Sequence, residues 1–129
     1  MSHFSTIKTK IKKKPELLEA LEILQYDVQE HQELRVTGAH GIKHEVVEAE
    51  VAIANDVGFR MNPHTGEYEL VADLETWNQP IPVERFVDKV TQQYARVTVY
   101  NTVKKMGFEV QEEWEMDNNS IELTVSRWV

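Results

Sequence analysis

The residue pattern predicts an α+β fold: a single domain over residues 1–129, with a mostly antiparallel sheet and two helices packed on one of its faces. Three observations predict it. Apolar residues alternate at period two in several short stretches, recur at helical spacing in only two, and are separated by compact turn-forming clusters. A chain of 129 residues matches the commonest domain size. Such a domain buries roughly two-thirds of the surface that its unfolded chain exposes, enough for a core without covalent staples.

The elements follow in order. Residues 3–11 alternate, with Ser5, Ile7, Thr9 and Ile11 on one face and Lys8 and Lys10 on the other, as in a half-buried strand. Pro15 suits the first turn of a helix and Glu16 its positive end. Leu17, Leu18, Leu21 and Leu24 form an apolar stripe, so residues 15–25 read as a short amphipathic helix. Residues 26–30 and 34–37 read as short extended pieces, and residues 38–41, with two glycines, as a loop. Val47, Ala49, Val51 and Ile53 alternate with Glu48, Glu50 and Ala52 in a clear strand. Residues 55–58 form a turn, residues 59–61 return, residues 62–66 turn again, and residues 67–72 alternate with Tyr68, Leu70 and Ala72 on one side. The middle of the chain is therefore a three-stranded antiparallel meander.

Residues 77–82 contain Pro80 and Pro82 and exclude regular helix, because each proline restricts its predecessor. From Val83 the period is helical again through Phe86, Val87, Val90, Tyr94 and Val97, and Gly107 supplies the stop for a helix ending near Met106. Residues 108–116 and 121–127 are two strands about a turn at residues 117–119. Ile121, Leu123 and Val125 face inward, and Val110, Trp114 and Met116 share a face interrupted by Glu112. The stretch Gln25-Tyr26-Asp27-Val28-Gln29-Glu30 parallels Gly107-Phe108-Glu109-Val110-Gln111-Glu112. This is either a degenerate duplication of a split β-α-β unit or chance in a short window, since two helix-to-strand joints reuse similar chemistry in any case. The order β-α-β-β-β-β-α-β-β makes a ferredoxin-like variant the leading architecture.

Composition narrows the function classes. The absence of cysteine removes disulfides, thiolate metal sites and cysteine nucleophiles, and fits a reducing compartment. The first residues lack an apolar secretory core, and no apolar run approaches the ~20 residues needed to span a bilayer. Lys8, Lys10, Lys12, Lys13 and Lys14 precede every acid, leaving nine basic residues against 22 acids in the rest, a net −13. Such a body repels phosphate backbones and disfavours nucleic acid, and the lysine strip reads as a solvated strand end.

No site motif for catalysis or a cofactor is present. The Gly-rich phosphate loops and the nucleophile elbow are missing. His40 and His44 have the i,i+4 spacing of two helical metal ligands, but the glycines around them place them in a loop. Glu48, Glu50, Glu67 and Glu69 would crowd one sheet face if their strands were neighbours; the plainer reading is a polar outer face. No metal, cofactor or catalytic residue is therefore expected. Trp77, on the irregular segment before the long helix, either seals the core beside Phe86 or anchors a protein partner, with Arg85, Tyr94 and Arg96 on the following helix around it.

The opening Met-Ser-His-Phe-Ser-Thr-Ile-Lys-Thr-Lys-Ile at residues 1–11 resembles that of the hypothetical chloroplast reading frame thirty-five family of cyanobacteria and algal plastids, a domain of unknown function. Residues 68–74 with Trp77, residues 86–95, Gly107-Phe108, residues 120–123 and Arg127-Trp128 are similar to it as well; residues 29–66 match poorly. The resemblance implies a cyanobacterial cytoplasm or a plastid stroma and a photosynthesis-related accessory role, and it implies no activity, cofactor or catalytic residue. The expectation is a non-enzymatic protein-binding module without membrane insertion. The alternative is a small-ligand-binding or catalytic domain that uses an open sheet face with Trp77, Tyr94 and Arg96.

Overall fold

The computed structural model describes residues 3–37, 44–115 and 121–127. The elements are β1 (Phe4–Lys8), α1 (Lys14–Ile23), β2 (Gln29–Thr37), β3 (His44–Ala54), β4 (Val57–Met61), β5 (Tyr68–Asp73), α2 (Val83–Lys105), β6 (Phe108–Glu115) and β7 (Ile121–Arg127). The α+β class, the two helices and the central meander β3-β4-β5 are as the sequence predicts. The loop at residues 38–41, with His40, and the turn at residues 117–119 lie outside the described residues.

All five strands of the main sheet are antiparallel, in the order β1-β5-β4-β3-β2. Strands β6 and β7 pair only with each other among the described residues, as a hairpin against α2. The strands that follow the two helices thus lie in different sheets, and the ferredoxin-like detail expected from element order does not form. β1 is shorter than the alternation of residues 3–11 predicts. After the Lys8–Glu69 pair, the Thr9 hydroxyl donates to the Tyr68 carbonyl at 2.5 Å and accepts the Ile11 amide at 3.1 Å, while the Tyr68 amide still donates to the Ile11 carbonyl at 2.7 Å, so a side chain takes one rung where regular pairing ends.

The helix side of the sheet holds the larger core. Leu17 and Leu21 of α1 and Phe86 and Val90 of α2 meet Val51, Val57, Phe59, Leu70 and Ala72 of the sheet, all at most 1% exposed. The Phe86 ring gathers its neighbours: Tyr26 and Trp77 meet it edge-on at 5.3 and 5.4 Å between centroids. Such pairs add about 0.5–1.5 kcal/mol each beyond burial.

The opposite face is also buried. Val71, Ala52 and Gly58 alternate with residues of the main core and so point away from the helices, yet they are covered. The cover is the distal half of the β2–β3 hairpin. Leu34 and Ala49 form a second cluster with Ala52 and Val71, flanked by Phe4 and Val47. Ala49 and Val51 have the same parity in β3 yet belong to different clusters, so the alternation slips at Glu50. Opposite Glu50, in a register that pairs Glu30 with Val51 and Gln32 with Ala49, stands His31 with φ 55°. This left-handed residue lets β2 slip in step with β3. The Arg35 amide then donates to the Asn55 carbonyl at 2.9 Å, tying the folded half to the β3–β4 turn. The sheet therefore offers no open face in this region.

Candidate functional site

Helix α2 presents Arg85, Gln92, Arg96 and Tyr100 along one stripe, at spacings of seven and four residues that keep side chains on one side of a helix. The last three hold β6. Gln92 Nε2 donates to Glu115 Oε1 at 2.9 Å, Arg96 Nε bonds Glu113 Oε1, and Tyr100 Oη donates to Glu113 Oε2 at 3.1 Å. Arg96 also reaches Gln93 Oε1 at 2.7 Å and so satisfies a buried amide. Burial, and then the hydrogen bond to the Glu113 carboxylate, raises the Tyr100 phenol above its ordinary pKa.

These contacts decide which way the hairpin faces. Glu113 and Glu115 turn toward α2, so Trp114 and its cross-strand partner Glu122 turn away. Strict alternation puts Trp114 on one face with Val110. A bulge overturns that: Val110 pairs with Val125 and Glu112 with Thr124, leaving Gln111 as an extra residue between them. From Glu112 onward every side chain of β6 has changed sides. Val110 stays with Leu123 and Val125, while Glu112 and Trp114 join Thr124 and Glu122 on the outer face. Trp114 is 55% exposed there. Period-two reading could not find this, because a bulge is invisible to parity; the signal available was the glutamate run around the tryptophan, which suits no buried face.

The four residues singled out by sequence do not converge. Trp77 packs against the core, edge-on to Phe86, and its Nε1 donates to the Ile81 carbonyl at 2.7 Å. Tyr94 is half-buried, and its hydroxyl accepts the amides of Lys12 and Lys13 at 3.2 and 3.1 Å, holding the entry to α1. Arg96 is engaged by Glu113. Arg85 is exposed and lines a shallow groove of about 210 Å³ with Asp88, Lys89, Gln92 and Glu115. Arg85 and Arg96 share the α2 stripe; Trp77 and Tyr94 do not join them.

Other polar groups are also placed. Glu48, Glu50, Glu67 and Glu69 do not form one cluster, because β4 separates β3 from β5. Glu50 accepts the Met61 amide at 2.8 Å. Lys14 bridges Glu30 at 2.7 Å and His31 Nε2 at 3.3 Å. Its hydrogen bond to Glu30 raises the lysine pKa and lowers that of the carboxyl. Among the described residues no group of three or more metal-ligating side chains is assembled. No helix of the described residues is long and apolar enough to cross a membrane.

Residues 20–124 match the family model described as "Protein of unknown function (DUF1257)". The chain belongs to this family. Within the family's span lie α2, the whole of β6 and the bulge that exposes Trp114. Curated relatives are similar over nearly the full length. An uncharacterized protein ycf35 of Guillardia theta is 38% identical over 136 residues, covering 99% of this chain and 98% of the relative. Those of Pyropia yezoensis and Cyanophora paradoxa are 36% and 32% identical, with the same coverage. No solved structure matches the chain.

Proposed function

We propose that this family member is a non-enzymatic accessory module that docks a protein partner on the outer face of its β6–β7 hairpin. We place it in a plastid stroma or a cyanobacterial cytoplasm, in a photosynthesis-related role; what supports the location is its similarity to ycf35 proteins of algae. The observation that carries the docking reading is Trp114, 55% exposed on the side of the hairpin turned away from α2, one pair before the last of the described ladder. A two-stranded ribbon has little stability of its own and borrows it from α2. Its inner face is held by Arg96, Gln92 and Tyr100, so the outer face is presented in a fixed orientation, and little entropy is lost on binding. Tryptophan is favoured at the centre of interfaces, where truncation often costs ~2 kcal/mol or more. Trp77 is committed to Phe86 and Ile81, so the anchor role passes from Trp77 to Trp114, with Arg85 and the groove beside it as a flank.

The test is capture of partners from a native lysate on immobilised wild-type protein and on Trp114→Ala, followed by direct binding of the purified candidate. A partner that binds wild type and is lost on the folded variant is expected. Equal capture by both proteins sinks the reading.

A further inference from the structure

The outer face of the hairpin has a chemistry as well as a shape. Strands β6 and β7 contain Glu109, Glu112, Glu113, Glu115 and Glu122, against a single base, Arg127. Glu113 is neutralised by Arg96, and Glu115 accepts Gln92, both on the inner side. Arg127 sits over the Phe108 ring at 5.9 Å. On the outer side Trp114 stands with Glu112 on its own strand and Glu122 directly across the ladder, and Glu109, opposite Ser126, lies on the same side further along. Directly paired positions in a sheet have their Cβ atoms about 5 Å apart, which puts Glu122 beside Trp114 on this side. No lysine or arginine of either strand shares that side.

An aromatic face beside carboxylates is the recognition chemistry of a cation. The ring quadrupole attracts a guanidinium or ammonium, Trp most strongly, and the carboxylates supply directed charge-assisted hydrogen bonds. Resting on the docking reading above, we infer that the occupant of this face is an arginine- or lysine-bearing segment of another protein, with one basic side chain stacked on Trp114 and held by Glu112 and Glu122. The chain's net charge of −8 favours encounter with such a partner over long range, while the Trp114 site fixes where it lands. An acidic or purely apolar segment would leave these two carboxylates opposed or desolvated without a counter-charge.

The probe is an eight-residue peptide of alternating Arg and Ser, with a Glu–Ser peptide as its control. Binding is read by backbone amide shifts across the folded protein and by tryptophan fluorescence. The Arg peptide should shift amides of residues 109–115 and 121–126, and the Glu peptide should shift none. Trp114→Ala should weaken binding at least tenfold, and Trp114→Phe by a smaller factor. Glu112→Gln with Glu122→Gln should weaken it several-fold and flatten its salt dependence. Glu22→Gln with Glu84→Gln removes the same charge at exposed sites on the helices and should change affinity less than twofold. If this control pair weakens binding as much as the hairpin pair, or if the shifts map elsewhere, the inference fails. If the Arg peptide does not bind wild type while Trp114→Ala still loses its captured partner, the cationic chemistry is wrong and the docking reading stands. Self-association seen by sedimentation, lost both in Trp114→Ala and on replacing Lys8, Lys10, Lys12 and Lys13, would overturn a separate partner in favour of a second copy.

Discussion

Gln25 and Gly107 occupy the same place at the ends of the two helices, each just past the C-cap with a positive φ, 68° and 83° respectively. After α1 the Gln25 amide donates to the Glu22 carbonyl at 2.9 Å and the Tyr26 amide reaches back to Leu21 at 3.0 Å, the paired bonds of a Schellman stop. After α2 the Gly107 amide donates in the same way to Lys104 at 3.1 Å. The parallel between residues 25–30 and 107–112 in sequence is thus a shared helix-to-strand joint, built once with glycine and once without.

Gln25 carries a side chain in a conformation that disfavours it by about 1–2 kcal/mol, and glycine would lose part of that gain to its freer unfolded chain. Gln25→Gly should therefore stabilise the protein by about 0.5–1 kcal/mol. Thermal unfolding should show a rise of a few degrees in Tm. A fall would show that the Gln25 side chain has a role that its backbone does not reveal.

Gly58 lies beneath the folded half of the β2–β3 hairpin. A Cβ built there would stand 2.7 Å from the Val51 carbonyl oxygen and 3.1 Å from both Ala49 Cβ and Leu34 Cδ1. The oxygen belongs to backbone and cannot swing aside. Gly58→Ala should cost about 1–3 kcal/mol, as overpacking does, and urea unfolding measures it. A neutral result would mean that the covering hairpin gives way easily.

Trp77 and Trp114 should separate stability from binding. Trp77→Ala removes the ring against Phe86 and should cost about 2–4 kcal/mol, below the full range for a buried aromatic because Trp77 is only half-buried. Trp114→Ala, on an exposed site, should change stability by less than about 0.5 kcal/mol. Denaturant midpoints of the two folded variants decide the matter.

Alkaline pH should destabilise the protein through its tyrosines and Lys14. Burial raises the phenols of Tyr26, Tyr68 and Tyr100 above their ordinary value. A group whose folded pKa is raised stabilises the fold fully below its unfolded pKa, and that contribution disappears as pH climbs through the folded value. Lys14, also raised through Glu30, acts in the same direction. The denaturant midpoint should hold steady to about pH 9 and fall from about pH 10 upward, where free tyrosine ionises. Tyr26→Phe should flatten that fall, and the phenolate absorbance band separates the tyrosine part from the lysine part. A midpoint that stays level past pH 11 would refute the assignment.

Most of the fold was legible because it depends on local periodicity. The Leu17, Leu21 and Leu24 stripe, the Phe86 and Val90 spacing, Pro15 at a helix start and Gly107 at a helix stop are statements about neighbours three or four residues apart. So is the alternation of Tyr68, Leu70 and Ala72. Physical chemistry close to the chain fixes these, and α+β with two helices and a meander follows from them. The lack of cysteine and of phosphate loops likewise restricts the chemistry open to this chain without reference to shape.

What needed tertiary structure was every change of phase. Ala49 and Val51 look equivalent in the sequence, but His31 and Glu50 slip together across a strand pair, and only that pairing sends the two residues to opposite cores. Trp114 looks like a neighbour of Val110, but one extra residue, Gln111, opposite β7 turns it outward. Sidedness in a strand is set by the count of residues between hydrogen-bonded partners. That count belongs to two strands at once, so neither strand carries it alone. For the same reason the exposure of the two tryptophans was not legible: the contact of Trp77 with Phe86 and the turn of Glu113 toward α2 leave Trp77 half-buried against the core and Trp114 exposed.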